Sequence, residues 1–256
     1  MKYFVALFLI LTPTFGYQTG KSSLGAQLGF STSEFELDYG STAPGTQATG
    51  DLSGFSFELS GNFNVFNNNT NTFGVDLFSR FTGSPALNDK INGTEIDTGI
   101  FNINASVRPY FRTGIFSPYA IIGLSHFSFE VEEEGFSGWR KGTKISPTLG
   151  FGASLEFTDS LVFSPSFVWS KVDMPSISDP SISVDFGSTN SFRFDFPLTY
   201  AVTDHFSIGA TLSHTNFSDV DKSTVNVTGL GPVSLAQPIG FSYWITSFMI
   251  KGDIVF

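Results

Sequence analysis

Apolar and polar residues alternate with a period of two along most of this chain, in segments of ten residues or more. Over residues 54–65, Phe55, Phe57, Leu59, Gly61, Phe63 and Val65 share one face, with Glu58 and Ser60 on the other. Such a period is that of a strand with one apolar and one polar side. The pattern returns over 72–82 (Phe73, Val75, Leu77, Phe81), 101–111 (Phe101, Ile103, Ala105, Val107, Phe111) and 145–157 (Leu149, Phe151, Leu155, Phe157). It continues over 161–171 (Leu161, Phe163, Phe167, Trp169), 192–202 (Phe192, Phe194, Phe196, Leu198, Tyr200) and 206–215 (Phe206, Ile208, Ala210, Leu212). In 22–39, Leu24, Ala26, Leu28 and Phe30 line up first. Phe35, Leu37 and Tyr39 then take the other face, which predicts a bulge near Ser33. Residues 117–130 are apolar on both sides, and we assign Ala120, Ile122 and Leu124 outward. The last segment, 240–256, sets Trp244, Phe248, Ile250, Ile254 and Phe256 against Lys251 and Asp253. The count is ten strands, with eight as the alternative.

Short and long connections alternate between these segments. Residues 66–71, 112–116, 158–160 and 203–205 are short links, whereas 40–53, 83–99, 131–144, 172–191 and 216–238 are long. Aromatic residues flank the short links in pairs: Phe63 and Phe73, Phe111 and Phe116, Phe157 and Phe163, Tyr200 and Phe206. Short turns on one side, long loops on the other and an aromatic belt between them are the features of a β-barrel that crosses a membrane. Pro147, Pro165 and Pro197 fit less easily, because a closed barrel has no free edge on which a missing N–H is harmless.

Composition narrows the setting. The chain has 256 residues, 31 of them Phe, no Cys, and a formal net charge of −10. An acidic surface argues against nucleic acid as a partner. Residues 1–16 carry one basic residue, an apolar core and a Pro-containing end, as a secretory signal peptide does. Thr14 and Gly16 are small enough for cleavage before Tyr17, so residues 17–256 are expected to form a single barrel domain.

The long terminal strand with its final aromatic (Phe248, Ile254, Phe256) is similar to the assembly signal of bacterial outer-membrane proteins. The mature chain resembles the small outer-membrane β-barrel group that includes the protein A-like porins. That resemblance implies an all-β, antiparallel up-and-down barrel, short periplasmic turns, insertion by the barrel-assembly machinery and a monomer in the outer membrane. It also implies contact with outer-membrane lipid and lipopolysaccharide, and it names no substrate, metal or cofactor.

The polar faces place Glu58, Asp76, Arg80, Arg108, Glu156, Arg193, Asp195, Lys251 and Asp253 inside the barrel. Charges in a narrow lumen must pair or draw in water. Asp76 and Arg108 stand at similar heights on neighbouring strands, so a network of Asp76, Arg108, Glu156, Lys251 and Asp253 is expected to plug the bore. A structural or surface-interaction barrel is the leading reading and a narrow pore for small solutes the second. The third is an outer-membrane hydrolase. His126, Ser128 and Glu130 are its candidate residues, since a His-x-Ser pair beside an acid resembles the site of lipid A deacylases. Phe129 stands where those enzymes carry an Asn, which counts against it. His214 near Asp219 and Asp221 similarly resembles part of the omptin protease site, without the paired Asp of the opposite rim. The acidic run 130–134, with Arg140, Lys141 and Lys144 after it, reads as a solvated loop.

Overall fold

The computed structural model describes residues 20–38, 47–91, 94–133, 139–141, 145–173, 176–178, 182–185, 187–218, 224–227, 231–233 and 240–256. The expected signal peptide and its cleavage point before Tyr17 lie outside them, as do Glu134, Lys144, Asp219 and Asp221.

Sixteen strands account for nearly all the described residues: β1 (Ser23–Asp38), β2 (Gln47–Asn67), β3 (Phe73–Ile91), β4 (Thr94–Phe111), β5 (Phe116–Glu133), β6 (Trp139–Lys141), β7 (Ile145–Glu156) and β8 (Leu161–Phe163) come first. They are followed by β9 (Ser166–Asp173), β10 (Ser176–Ser178), β11 (Ile182–Asp185), β12 (Ser188–Thr203), β13 (Phe206–Phe217), β14 (Thr224–Val227), β15 (Gly231–Val233) and β16 (Gly240–Val255). Antiparallel pairing runs from β1 through β2, β3, β4, β5 and β7 to β8 and β9, which together form one interrupted stave. It continues through β12, β13 and β16, and β16 pairs with β1 to close a ring of ten. Closure leaves the wall without an edge, so every stave finds backbone partners on both sides. Strand β6 adds to the far end of β5, and β10, β11, β14 and β15 form a separate small sheet.

The outer wall is made of the predicted apolar faces. Leu28, Phe55, Leu77, Val107, Leu149, Leu198, Leu212 and Phe248 are all exposed on it. In β5, Ile122 and Leu124 point outward at 56% and 54% exposure, while Tyr119 and Ile121 are buried on the inner side, which settles the two-sided strand as assigned.

Two expectations need correction. The pairing of β1 with both neighbours runs from Ser23 to Asp38 without a register shift, so there is no bulge at Ser33, which is buried instead. The sequence pattern breaks there because only the lipid-facing part of a strand must be apolar outside. The long links are also shorter than the pattern implied: β3 reaches Ile91 and β4 starts at Thr94. Backbone hydrogen bonds carry these strands past the band in which alternation is enforced. The strands do shift register elsewhere, at Asn64/Phe66 and Phe55/Phe57 in β2, at Ser84/Leu87 in β3 and at Ala201/Thr203 in β12.

The prolines fall where ladders are interrupted. Strand β12 pairs with β9 over Ser188–Asp195 and with β8 over Leu198–Tyr200, and Pro197 lies in the gap opposite Ser164 and Pro165. The Ser164 N–H donates to the Pro197 carbonyl at 3.0 Å, bridging that gap. Pro147 lies one residue beyond Thr148, where the β7–β9 ladder ends. The missing donors thus coincide with the few positions where the wall asks for none.

Candidate functional site

The lumen is where this chain concentrates its chemistry. Glu58 on β2, Arg80 on β3, and Arg193 and Asp195 on β12 point inward by strand alternation and meet in the bore. The Arg80 Nη1 donates to Asp195 Oδ2 at 2.8 Å, and the Arg193 Nε donates to Asp195 Oδ1 at 2.7 Å. The second carboxylate, Glu58, lies 3.1 Å from Arg193 Nη2 and 3.8 Å from Arg80 Nη1. Ser213 Oγ donates to Asp195 at 2.7 Å, and Gln27 Nε2 donates to Glu58 at 2.9 Å. Two positive and two negative groups therefore balance. Their desolvation is offset by charge-assisted hydrogen bonds, the condition under which buried ions are tolerated.

Strands β3 and β12 stand five staves apart in either direction round the ring. The Arg80–Asp195 pair thus spans the full width of the bore. Above it, toward the ends joined by long links, Phe127 on β5, Phe217 on β13 and Tyr243 on β16 pack ring on ring, with centroids 5.0 and 5.5 Å apart. All three are buried. Between the charged and aromatic layers a cavity of about 50 Å³ remains, lined in part by Arg193, Ser213, Phe127, Phe217 and Met249.

The remaining interior charges gather toward the short-turn end. Asp76 and Arg108 are cross-strand partners. The Asp76 carboxylate accepts hydrogen bonds from Asn64 Nδ2 at 2.7 Å, Asn62 Nδ2 at 3.3 Å and the Gly20 N–H at 3.2 Å. The Arg108 guanidinium lies 3.4 Å from the centre of the Phe78 ring, with Tyr119 at 5.6 Å and Arg80 at 5.7 Å on Phe78. A guanidinium over an aromatic face gains most where water is excluded. Lys251 Nζ sits 3.3 Å from Asp253 Oδ2, which also accepts from Ser207 Oγ at 2.9 Å. Glu156 is half-buried at the end of β7 and its N–H donates to Ile115. Of the five residues named from the sequence, the structure thus brings Asp76 beside Arg108 and joins Lys251 to Asp253, with Glu156 at the rim.

The cluster that crosses the bore was not singled out from the sequence, although all four of its members were placed inside. Alternation says which residues face the lumen. Which of them meet across it depends on the stagger of strands round the whole ring, a property no local pattern encodes.

The hydrolase residues are arranged differently. His126 and Ser128 are half-exposed on the outward face of β5, above Ile122 and Leu124. Ile103 and Ile145 are the cross-strand partners of His126, and Phe101 is that of Ser128. Glu130 pairs through its backbone with Gly99 and Arg140, and its side chain lies outside the described residues. His205 stands exposed in a short turn, its Nδ1 3.1 Å from the Val255 carbonyl. The His214 Nδ1 is 2.8 Å from Thr246 Oγ1. In the terminal strand, Phe248 and Phe256 are exposed on the outer wall and Ile254 is paired with Leu24 and Phe206.

Comparison with known proteins agrees with this architecture. None of the curated proteins matches the sequence. Among solved structures, the outer-membrane protease OmpT of Escherichia coli superposes with a TM-score of 0.60 at 11% identity, over 95% of this chain and 99% of that one. OprG of Pseudomonas aeruginosa (TM-score 0.41, 13% identity, 93% and 96% covered) and Ail of Yersinia pestis (0.32, 14%, 93% and 100%) are more distant. At such identities the likeness speaks for the fold alone. The model of the outer membrane protein beta-barrel domain matches residues 4–229. With its closed ten-stave wall, apolar outside and polar within, the chain belongs to that family and resides in the bacterial outer membrane.

Proposed function

We propose that this protein is a closed outer-membrane barrel with a structural or surface-interaction role. It works as a monomer in contact with outer-membrane lipid and lipopolysaccharide, and is inserted by the barrel-assembly machinery. The observation that carries the reading is the Arg80–Asp195 ion pair across the bore, with the aromatic layer of Phe127, Phe217 and Tyr243 above it. A solute entering from the loop side meets three packed rings and then a neutralised tetrad of charges. The 50 Å³ between them is space for a few water molecules and not for a path. What remains for function is the surface that the long loops present outside.

Planar-bilayer recording tests this directly. The wild-type protein should show no discrete conductance steps, and Arg80→Ala combined with Phe127→Ala should produce small ones. Steady wild-type conductance would favour the narrow pore for small solutes.

A further inference from the structure

The outer wall is uneven in one place. On its lipid-facing side, strands β4, β5 and β7 and the link between β8 and β9 put Pro109, Pro118, Ala120, Ala153 and Pro165 side by side, whereas the small residues elsewhere on the wall, such as Ala26 and Ala210, stand between Leu, Ile and Phe along their strands. These short residues floor a groove of about 880 Å³. One border is a row of phenylalanines in register across three staves. Phe151 is the cross-strand partner of Phe167, and Phe167 of Phe194, with ring centroids 5.5 and 5.1 Å apart. Phe111 and Phe116, beside the short turn between β4 and β5, form the other.

The floor also lacks backbone bonds. The β4–β5 ladder passes from Val107–Ile122 directly to Tyr110–Tyr119, skipping the step that contains Pro109. Prolines 165 and 197 share the gap described above. The groove is closed on the lumen side by Tyr119, whose ring lies over Gly152 where any larger residue would collide with it.

We propose that this groove binds an acyl chain of a phospholipid from the periplasmic leaflet. It opens on the hydrocarbon side of the wall, where water cannot fill a depression, and an empty one forfeits the dispersion contacts of its whole lining. Its lining is almost wholly apolar, so the occupant is hydrocarbon. The bordering Phe111 and Phe116 flank a short turn, which sets the groove at the periplasmic rim and selects that leaflet. A second copy of this chain is a poorer occupant: sixteen residues line the groove, fewer than the roughly 20–30 per side of a stable interface.

The full-length barrel reconstituted in phosphatidylethanolamine–phosphatidylglycerol vesicles, doped with phosphatidylethanolamine bearing a diazirine on one acyl chain, provides the test. Mass-spectrometric mapping should find photolabel concentrated on residues 118–120 and 151–153, well above the level at Ala26 or Ala210 on other parts of the wall. Ala153→Phe, which fills the floor, should abolish the excess, whereas Ala210→Phe should leave it. Label spread evenly round the barrel would mean ordinary annular lipid only and overturn the proposal. Stronger labelling by a diazirine-bearing lipopolysaccharide, or protein–protein crosslinks at these positions, would overturn it equally. The wild-type map decides the matter by itself if Ala153→Phe does not fold.

Discussion

Asp195→Ala is the most informative single change. The carboxylate is 4% exposed and accepts three hydrogen bonds, from Arg80, Arg193 and Ser213, at 2.7–2.8 Å. Its removal turns a neutral tetrad into one with net positive charge. Arg80 is left with Glu58 at 3.8 Å, which already serves Arg193 at 3.1 Å. Breaking one partner of a buried pair typically costs about 3–5 kcal/mol, toward the lower figure where water enters the vacated space. With a denaturant slope of roughly 2–3 kcal/mol/M, the urea midpoint in detergent or lipid should fall by on the order of 1–2 M. Loss of the heat-modifiable gel band gives the midpoint. Arg80→Ala should act similarly. The double variant should lose less than the sum of the two, by about 0.5–3 kcal/mol, because the shared bond disappears once. Single variants as stable as the wild type, or strictly additive losses, would refute the idea that this pair braces the bore.

Three further predictions concern the wall and its ends. Leu212→Arg, on the lipid face, should destabilise the barrel by about 2–4 kcal/mol if the site lies near mid-membrane, whereas Leu212→Phe should be nearly neutral; equal unfolding midpoints for the two would invert the assigned faces. Deletion of Phe256, whose N–H donates to the Ser22 carbonyl at 3.1 Å, should reduce the yield of folded outer-membrane barrel without blocking export, as judged by fractionation; a normal yield counts against its role in assembly. Gly114 adopts φ +60° in the turn between β4 and β5, with open space where a Cβ would stand. Gly114→Ala should thus cost only the backbone penalty of about 1–2 kcal/mol, and a larger loss would reveal a contact that the turn does not show.

The wall was legible in the sequence because the physics that shapes it is local. Hydrocarbon on one side and a polar lumen on the other act on each residue separately, so Leu28, Phe151 or Leu212 declares its face with no knowledge of its neighbours. That rule stops at the membrane rim. It is why Ser33 read as a bulge in a strand that is regular, and why residues 83–91 read as loop although β3 continues through them. The lumen was legible only as a set. Glu58, Arg80, Arg193 and Asp195 were each placed inside, but the meeting of Arg80 with Asp195 requires ring closure and stagger, which couple residues 115 positions apart. The groove was hidden for a similar reason. Pro109, Pro118 and Pro165 are isolated irregularities along the chain and neighbours only on the surface.

The small sheet at the far end of the barrel has a consequence of its own. Its central pair joins β11, from the link between β9 and β12, to β14, from the link between β13 and β16, with Ile182 opposite Val227 and Asp185 opposite Thr224. These two loops are separated in the chain by the whole β12–β13 hairpin, yet they share a backbone ladder. To anything approaching from outside, their paired segments present one continuous surface. A substitution that breaks this ladder in one loop therefore removes the footing of the other.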